Sequence, residues 1–88
     1  LSQLFIGGTN MEIIIYTTKL CPFCVSAKNL LSSKNLEYTE IDLSTDLEKR
    51  LEVSTKYNWR TVPMIIINDE FIGGFDDLNK LNEEGKLP

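Results

Sequence analysis

Residues 13–24 read Ile13-Ile14-Ile15-Tyr16-Thr17-Thr18-Lys19-Leu20-Cys21-Pro22-Phe23-Cys24. The first five are β-branched or aromatic and predict a strand. Pro22 sits where a helix best tolerates proline, in its first turn. Beyond it Val25, Ala27, Leu30 and Leu31 give an apolar stripe at helical spacing to about Lys34. A strand therefore runs into a helix, and two cysteines three residues apart stand at the junction.

Downstream the alternation continues. Tyr38 to Leu43 reads as a second strand. Ser44 or Thr45 can cap a second helix, with Asp46 and Glu48 favouring its N-terminal dipole and Leu47, Leu51 and Tyr57 forming its inner face. Met64 to Ile67 is a strand, Asn68-Asp69 a turn-forming pair, and Glu70 to Ile72 the returning strand. Gly73-Gly74 breaks it, and Phe75, Leu78 and Leu81 mark a last amphipathic helix. The order is β-α-β-α-β-β-α. A parallel crossover followed by a tight antiparallel hairpin gives an α/β protein with a four-stranded mixed sheet flanked by three helices, the thioredoxin fold.

Upstream, residues 1–10 precede Met11 and differ in character, and Met11 followed by Glu12 and an apolar run makes a natural start. The leading segment is read as an addition from expression or from an early start, and residues 11–88 as the domain. Its Phe5-Ile6-Gly7-Gly8 echoes Phe71-Ile72-Gly73-Gly74, too short a match to be a repeat.

Composition narrows the chemistry. The 88 residues suit one small domain. A net charge of −4 argues against nucleic acid, whose binding relies on a basic face. The longest apolar runs, Ile13 to Tyr16 and Val62 to Ile67, fall far short of the roughly 20 residues of a membrane span, and no signal peptide is evident. A cytoplasmic monomer is expected. The chain has no histidine, which removes imidazole acid–base catalysis and imidazole metal ligands.

That leaves Cys21 and Cys24. A bridge between them would close too short a loop to stabilise the fold appreciably, so they read as reactive or metal-binding. Zinc needs two further ligands that one chain lacks, although two protomers could pool their pairs. No metal is expected. The helix N-terminus carries about half a positive charge, and Lys19 adds a cation two residues upstream, so Cys21 should ionise more readily than an ordinary thiol. Cys24, one turn into the helix, should stay protonated. Thr61-Val62-Pro63 admits two readings: an edge-strand proline, or a cis-proline that offers Val62 backbone groups to an extended ligand. In Gly73-Gly74-Phe75-Asp76-Asp77 the glycines permit close approach, and an aspartate can cap the last helix. The helix start and its carboxylates would also suit a zwitterion.

Cys21-Pro22-Phe23-Cys24, Arg60-Thr61-Val62-Pro63 and Gly73-Gly74-Phe75-Asp76-Asp77, in that order and spacing, resemble a bacterial-type dithiol glutaredoxin over residues 12–88. The resemblance implies a cis peptide before Pro63 and a catalytic Cys21/Cys24 pair. It implies glutathione as co-substrate with no tightly bound cofactor, and disulfide-containing or glutathionylated proteins as partners, ribonucleotide reductase among them. By the same analogy Lys19, Phe23, Arg60, Thr61, Val62, Pro63, Gly74, Asp76 and Asp77 would hold glutathione, with Arg60 near its glycine carboxylate. The chain departs from the family in three places. Phe23 stands where Tyr is usual, the basic residue is two rather than three before Cys21, and Phe75 follows the glycines where Cys is common. One rival is a thioredoxin-like donor fed by a flavin reductase, against which Arg60 and the Asp76-Asp77 pair argue. Another is a dimeric iron–sulfur carrier holding a [2Fe–2S] cluster through two Cys21 thiolates and two glutathiones; related monothiol members carry Gly and Ser where this chain has Pro22 and Cys24.

Overall fold

The computed structural model describes residues 11–87; the leading segment and its glycine-pair echo lie outside the described residues. The elements are β1 (Ile13–Thr17), α1 (Pro22–Ser33), β2 (Thr39–Asp42), α2 (Leu47–Tyr57), β3 (Met64–Ile67), β4 (Glu70–Gly73) and α3 (Phe75–Glu83). The sheet order is β2-β1-β3-β4. β1 and β2 are parallel, while β1–β3 and β3–β4 are antiparallel. This is the expected thioredoxin fold.

Two apolar layers sandwich the sheet. On one face Ile13, Ile15, Ile65 and Ile67 pack with Ala27 and Leu31 of α1, Leu78 of α3 and Leu87 beyond it. On the other, Met64 packs with Leu43 and with Val53 of α2, joined by Tyr16, Tyr57, Trp59 and Phe71. β3 is buried at every position because it lies inside the sheet with both faces covered. The edge-strand reading of Pro63 therefore fails: the strand it leads into is central. Asn68 and Asp69 both take left-handed φ, 52° and 67°, the backbone that a two-residue hairpin of the right twist requires.

Three local expectations are corrected. The cap of α2 is Asp46, whose side chain accepts from the Lys49 N–H at 2.9 Å, rather than Ser44 or Thr45. Ser44 is occupied elsewhere, since its hydroxyl accepts the Lys19 N–H at 2.7 Å. The inner face of α2 is carried by Val53, with Tyr57 half-buried, whereas Leu47 and Leu51 are 69% and 60% exposed. Positions 51 and 53 point about 200° apart on a helix, so only one of the two stripes can meet the sheet. In α1, similarly, the buried line is Cys24, Ala27 and Leu31, and Val25 faces outward.

At the end of β1 the buried Thr17 donates its hydroxyl to Glu40 Oε2 at 2.7 Å, and Lys28 Nζ approaches the same oxygen at 3.0 Å. These bonds, that of Thr17 foremost, hold the Glu40 carboxyl below its ordinary range. A carboxyl depressed by folding stabilises the protein above its unfolded pKa and loses that contribution as pH falls through its folded one. Thr17→Val, nearly isosteric, should cost roughly 1 kcal/mol near neutral pH. The deficit against wild type should narrow on acidification below the ordinary glutamate range. Urea midpoints at several pH values check this; a deficit that does not change with pH would refute the role given to Glu40.

Candidate active site

Cys21 is the N-cap of α1, with extended backbone (φ −141°, ψ 95°), and Pro22 opens the helix. The geometry follows from the sequence. Proline needs no carbonyl partner for a missing N–H, and the extended residue before it turns the strand into the helix. The Cys24 N–H points at Cys21 Sγ at 3.1 Å, and no acidic residue in the first turn offsets the helix field. Cys21 and Cys24 are joined as a disulfide with Cα atoms 5.2 Å apart, well within the usual span. Cys21 keeps 8% of its surface exposed and Cys24 only 1%. Attack from outside can therefore reach Cys21 but not Cys24.

Facing the pair, Val62 O lies 3.6 Å from Cys21 Sγ, and the Val62–Pro63 bond is cis. This backbone forms one wall of a cavity of about 430 Å³. Phe23, Thr61, Val62, Pro63, Gly74, Asp76 and Asp77 line it together. Lys19 and Arg60 do not. The Lys19 backbone is tied to Ser44 on the β2 side. Its charge, after the stronger hydrogen bonds from Ser44, helps to hold the exposed Asp42 carboxyl below its usual range. Arg60 lines a neighbouring groove.

The far wall of the cavity is the start of α3. Gly73 has φ +125°, and a Cβ there would collide with the Asp77 carboxylate; both restrict the position to glycine. Gly74 is the N-cap, and Asp77 reaches back from the first turn to accept its N–H at 3.0 Å. The cap expected from Asp76 or Asp77 thus comes from Asp77 alone. The first bond inside the helix runs from the Leu78 N–H to Gly74 O. The N–H groups of Phe75, Asp76 and Asp77 consequently have no carbonyl of their own helix to meet. Donors and carboxylates lie side by side at the mouth of the cavity.

Two lining residues were not anticipated as such. Phe75 stacks on Phe23 with ring centroids 6.4 Å apart, forming an aromatic rim. Trp59 lines the cavity, meets Phe71 edge-on at 5.4 Å, and has its indole nitrogen buried without a partner among the described residues. Its place directly before Arg60-Thr61-Val62-Pro63, as the chain's one tryptophan, was the available signal.

Comparison with known proteins agrees with this geometry. The glutaredoxin family model matches residues 13–72. A glutaredoxin of Pseudomonas aeruginosa is 43% identical over 75 residues, spanning 85% of this chain and 89% of that protein. The solution structure of glutaredoxin from Brucella melitensis superposes with a TM-score of 0.80 at 43% identity, covering 92% of this chain and 88% of that one. A buckwheat glutaredoxin–glutathione complex superposes with a TM-score of 0.79 at 26% identity, covering 85% and 71%. The matched stretch runs from β1 into β4 through the cysteine pair and the cis-proline, and the chain belongs to the glutaredoxin family of glutathione-dependent thiol–disulfide oxidoreductases.

Proposed function

We propose that Cys21 is the attacking thiolate, Cys24 the resolving thiol, and the cavity between cis-Pro63 and α3 the glutathione site. The observation that carries this reading is the Cys24 N–H aimed at the Cys21 sulfur at a helix N-terminus, because an N–H donor and the helix field both favour sulfur as an anion. Reduced Cys21 attacks the glutathionyl sulfur of a mixed disulfide. The protein thiolate leaves and takes a proton from water, and Cys21 becomes glutathionylated. A second glutathione thiolate attacks that glutathionyl sulfur, releasing oxidised glutathione and restoring Cys21. On a protein disulfide, Cys21 attacks one sulfur. Cys24 then loses its proton and attacks Cys21 Sγ, freeing the reduced protein and leaving the Cys21–Cys24 disulfide. Two glutathiones reduce that bridge in turn. Glutathione is the co-substrate, and the family chemistry needs no tightly bound cofactor.

Within the cavity, Thr61, Val62 and Pro63 present backbone to the glutathione cysteine. Gly74, Asp76 and Asp77 receive its γ-glutamyl end, and Phe23 covers it. Arg60, and more remotely Lys19, face its glycine carboxylate. The unit proposed to act is a single chain. The proposed setting is cytoplasmic, with disulfide-bonded or glutathionylated proteins as substrates, ribonucleotide reductase among them. No helix among the described residues is long and apolar enough to cross a membrane.

The test is the pH profile of alkylation. In the reduced protein, Cys21 should react with iodoacetamide at pH 6 nearly as fast as at pH 8, while Cys24 stays unmodified. A profile that rises through the range of an ordinary free thiol would contradict the assignment.

A further inference from the structure

Beside the redox cavity lies a second groove of about 530 Å³, and Trp59 lines both. Their charge is opposite. The redox cavity carries Asp76 and Asp77, whereas the groove has no acidic lining residue and contains both arginines of the chain, Arg50 and Arg60. Neither arginine makes an ion pair among the described residues. For a chain of net charge −4, the placing of both in one acid-free groove makes it a local cationic site. Its outer edge is apolar. Leu47 and Leu51, one turn apart on α2, stand 69% and 60% exposed and take no part in the core.

We propose that this groove docks the segment of a protein substrate that flanks its reactive cysteine, and that it selects segments carrying acidic side chains together with an apolar one. The proposal rests on the assignment of Cys21 and its cavity above. Glutathione accounts for part of the groove at most: its glycine carboxylate can face Arg60, but the tripeptide has no apolar side chain to cover Leu47 and Leu51. A polypeptide joined through its cysteine to glutathione seated in the cavity can continue past Trp59 onto α2. There carboxylates meet Arg50 and Arg60, and an apolar residue covers the leucine pair. Partly exposed ion pairs and one buried leucine contact are each modest, and together they should give a preference of about tenfold.

The experiment uses two short synthetic peptides, each glutathionylated at a central cysteine. One bears glutamates and leucine around it, the other lysines and serine. Wild type should reduce the acidic, leucine-bearing peptide with a kcat/KM about tenfold higher, and the ratio should fall as salt screens the charges. Leu47→Ser/Leu51→Ser, at exposed positions, should diminish the preference while leaving turnover of the small glutathione–hydroxyethyl mixed disulfide unchanged. Arg50→Glu should turn the preference toward the basic peptide. Trp59 fluorescence should respond to an acidic peptide with serine in place of cysteine, and less so in the leucine variant. Equal rates for the two peptides overturn the docking proposal. So does a leucine variant that slows the small disulfide as much as the acidic peptide, which would give the groove to glutathione alone. Either result with normal glutathione turnover leaves the redox assignment standing, whereas no turnover of any mixed disulfide by wild type overturns both.

Discussion

Cys21→Ser should abolish reduction of both glutathione mixed disulfides and protein disulfides, down to the uncatalysed rate. A serine hydroxyl is not ionised at neutral pH, and the remaining thiol, Cys24, is 1% exposed and out of reach of an incoming disulfide. Cys24→Ser should behave differently. Its N–H still points at Cys21 Sγ, because that bond is made by backbone, so the Cys21 thiolate survives and deglutathionylation continues. Protein disulfides require the second thiol to break the Cys21–substrate bond, and for these activity should fall by an order of magnitude or more. Steady-state rates on a glutathionylated peptide and on a protein disulfide, for both variants, make the comparison. Equal loss of the two activities in Cys24→Ser would show that Cys24 supports Cys21 rather than resolving it.

Why that pair was legible from sequence while other parts were not comes down to how local each signal is. A proline in the first turn, a β-branched run before it and an apolar stripe after it determine a strand–helix junction within about twenty residues. The junction appears as expected, with Cys21 as N-cap. The Asn68-Asp69 turn is equally local, since both residues must tolerate positive φ. The inner face of α2 was not legible, because Leu47 and Leu51 form as good a stripe as Val53 and Tyr57. Which stripe meets the sheet depends on where Asp46 starts the helix and on how the connection from β2 presents it. Propensity contains neither. The leucines that looked like core instead stand beside the cationic groove.

The site divides along the same line. Residues belonging to its backbone devices, Val62-Pro63 and Gly73-Gly74, are recognisable because few other residues suit such conformations, and they meet across one cavity. For Lys19 and Arg60 the sequence offers only a position in a motif. Long cationic side chains near a site can point to either side of it. Here the Lys19 backbone is tied to Ser44 and Arg60 lines the adjoining groove. The one hint for Trp59 is its place directly before Arg60, and it is packing with Val53 of α2 and with Met64 and Phe71 of the sheet that brings it into the cavity wall.

Asp77 has the largest expected effect on glutathione recognition. Its carboxylate has two tasks that a single substitution mixes: one oxygen caps Gly74 at 3.0 Å, and the negative charge is assigned to the γ-glutamyl amine. Asp77→Ala removes both and should cost about 1 kcal/mol of stability through the lost cap. Asp77→Asn separates them, because an amide oxygen can still accept the Gly74 N–H but brings no charge to the amine. Loss of a charge-assisted hydrogen bond is worth roughly 1.5–3 kcal/mol, on the order of ten- to a hundredfold in affinity. Both variants should therefore raise the Michaelis constant for glutathione by that factor, with only the alanine variant losing stability. Alkylation of Cys21 should be unchanged in both, since the thiolate depends on α1 and the cavity partner on α3. Lys19→Ala should weaken glutathione less, because Lys19 lies outside the cavity lining. If Asp77→Asn left glutathione kinetics at the wild-type level while Lys19→Ala crippled them, the γ-glutamyl end would have to be moved away from α3.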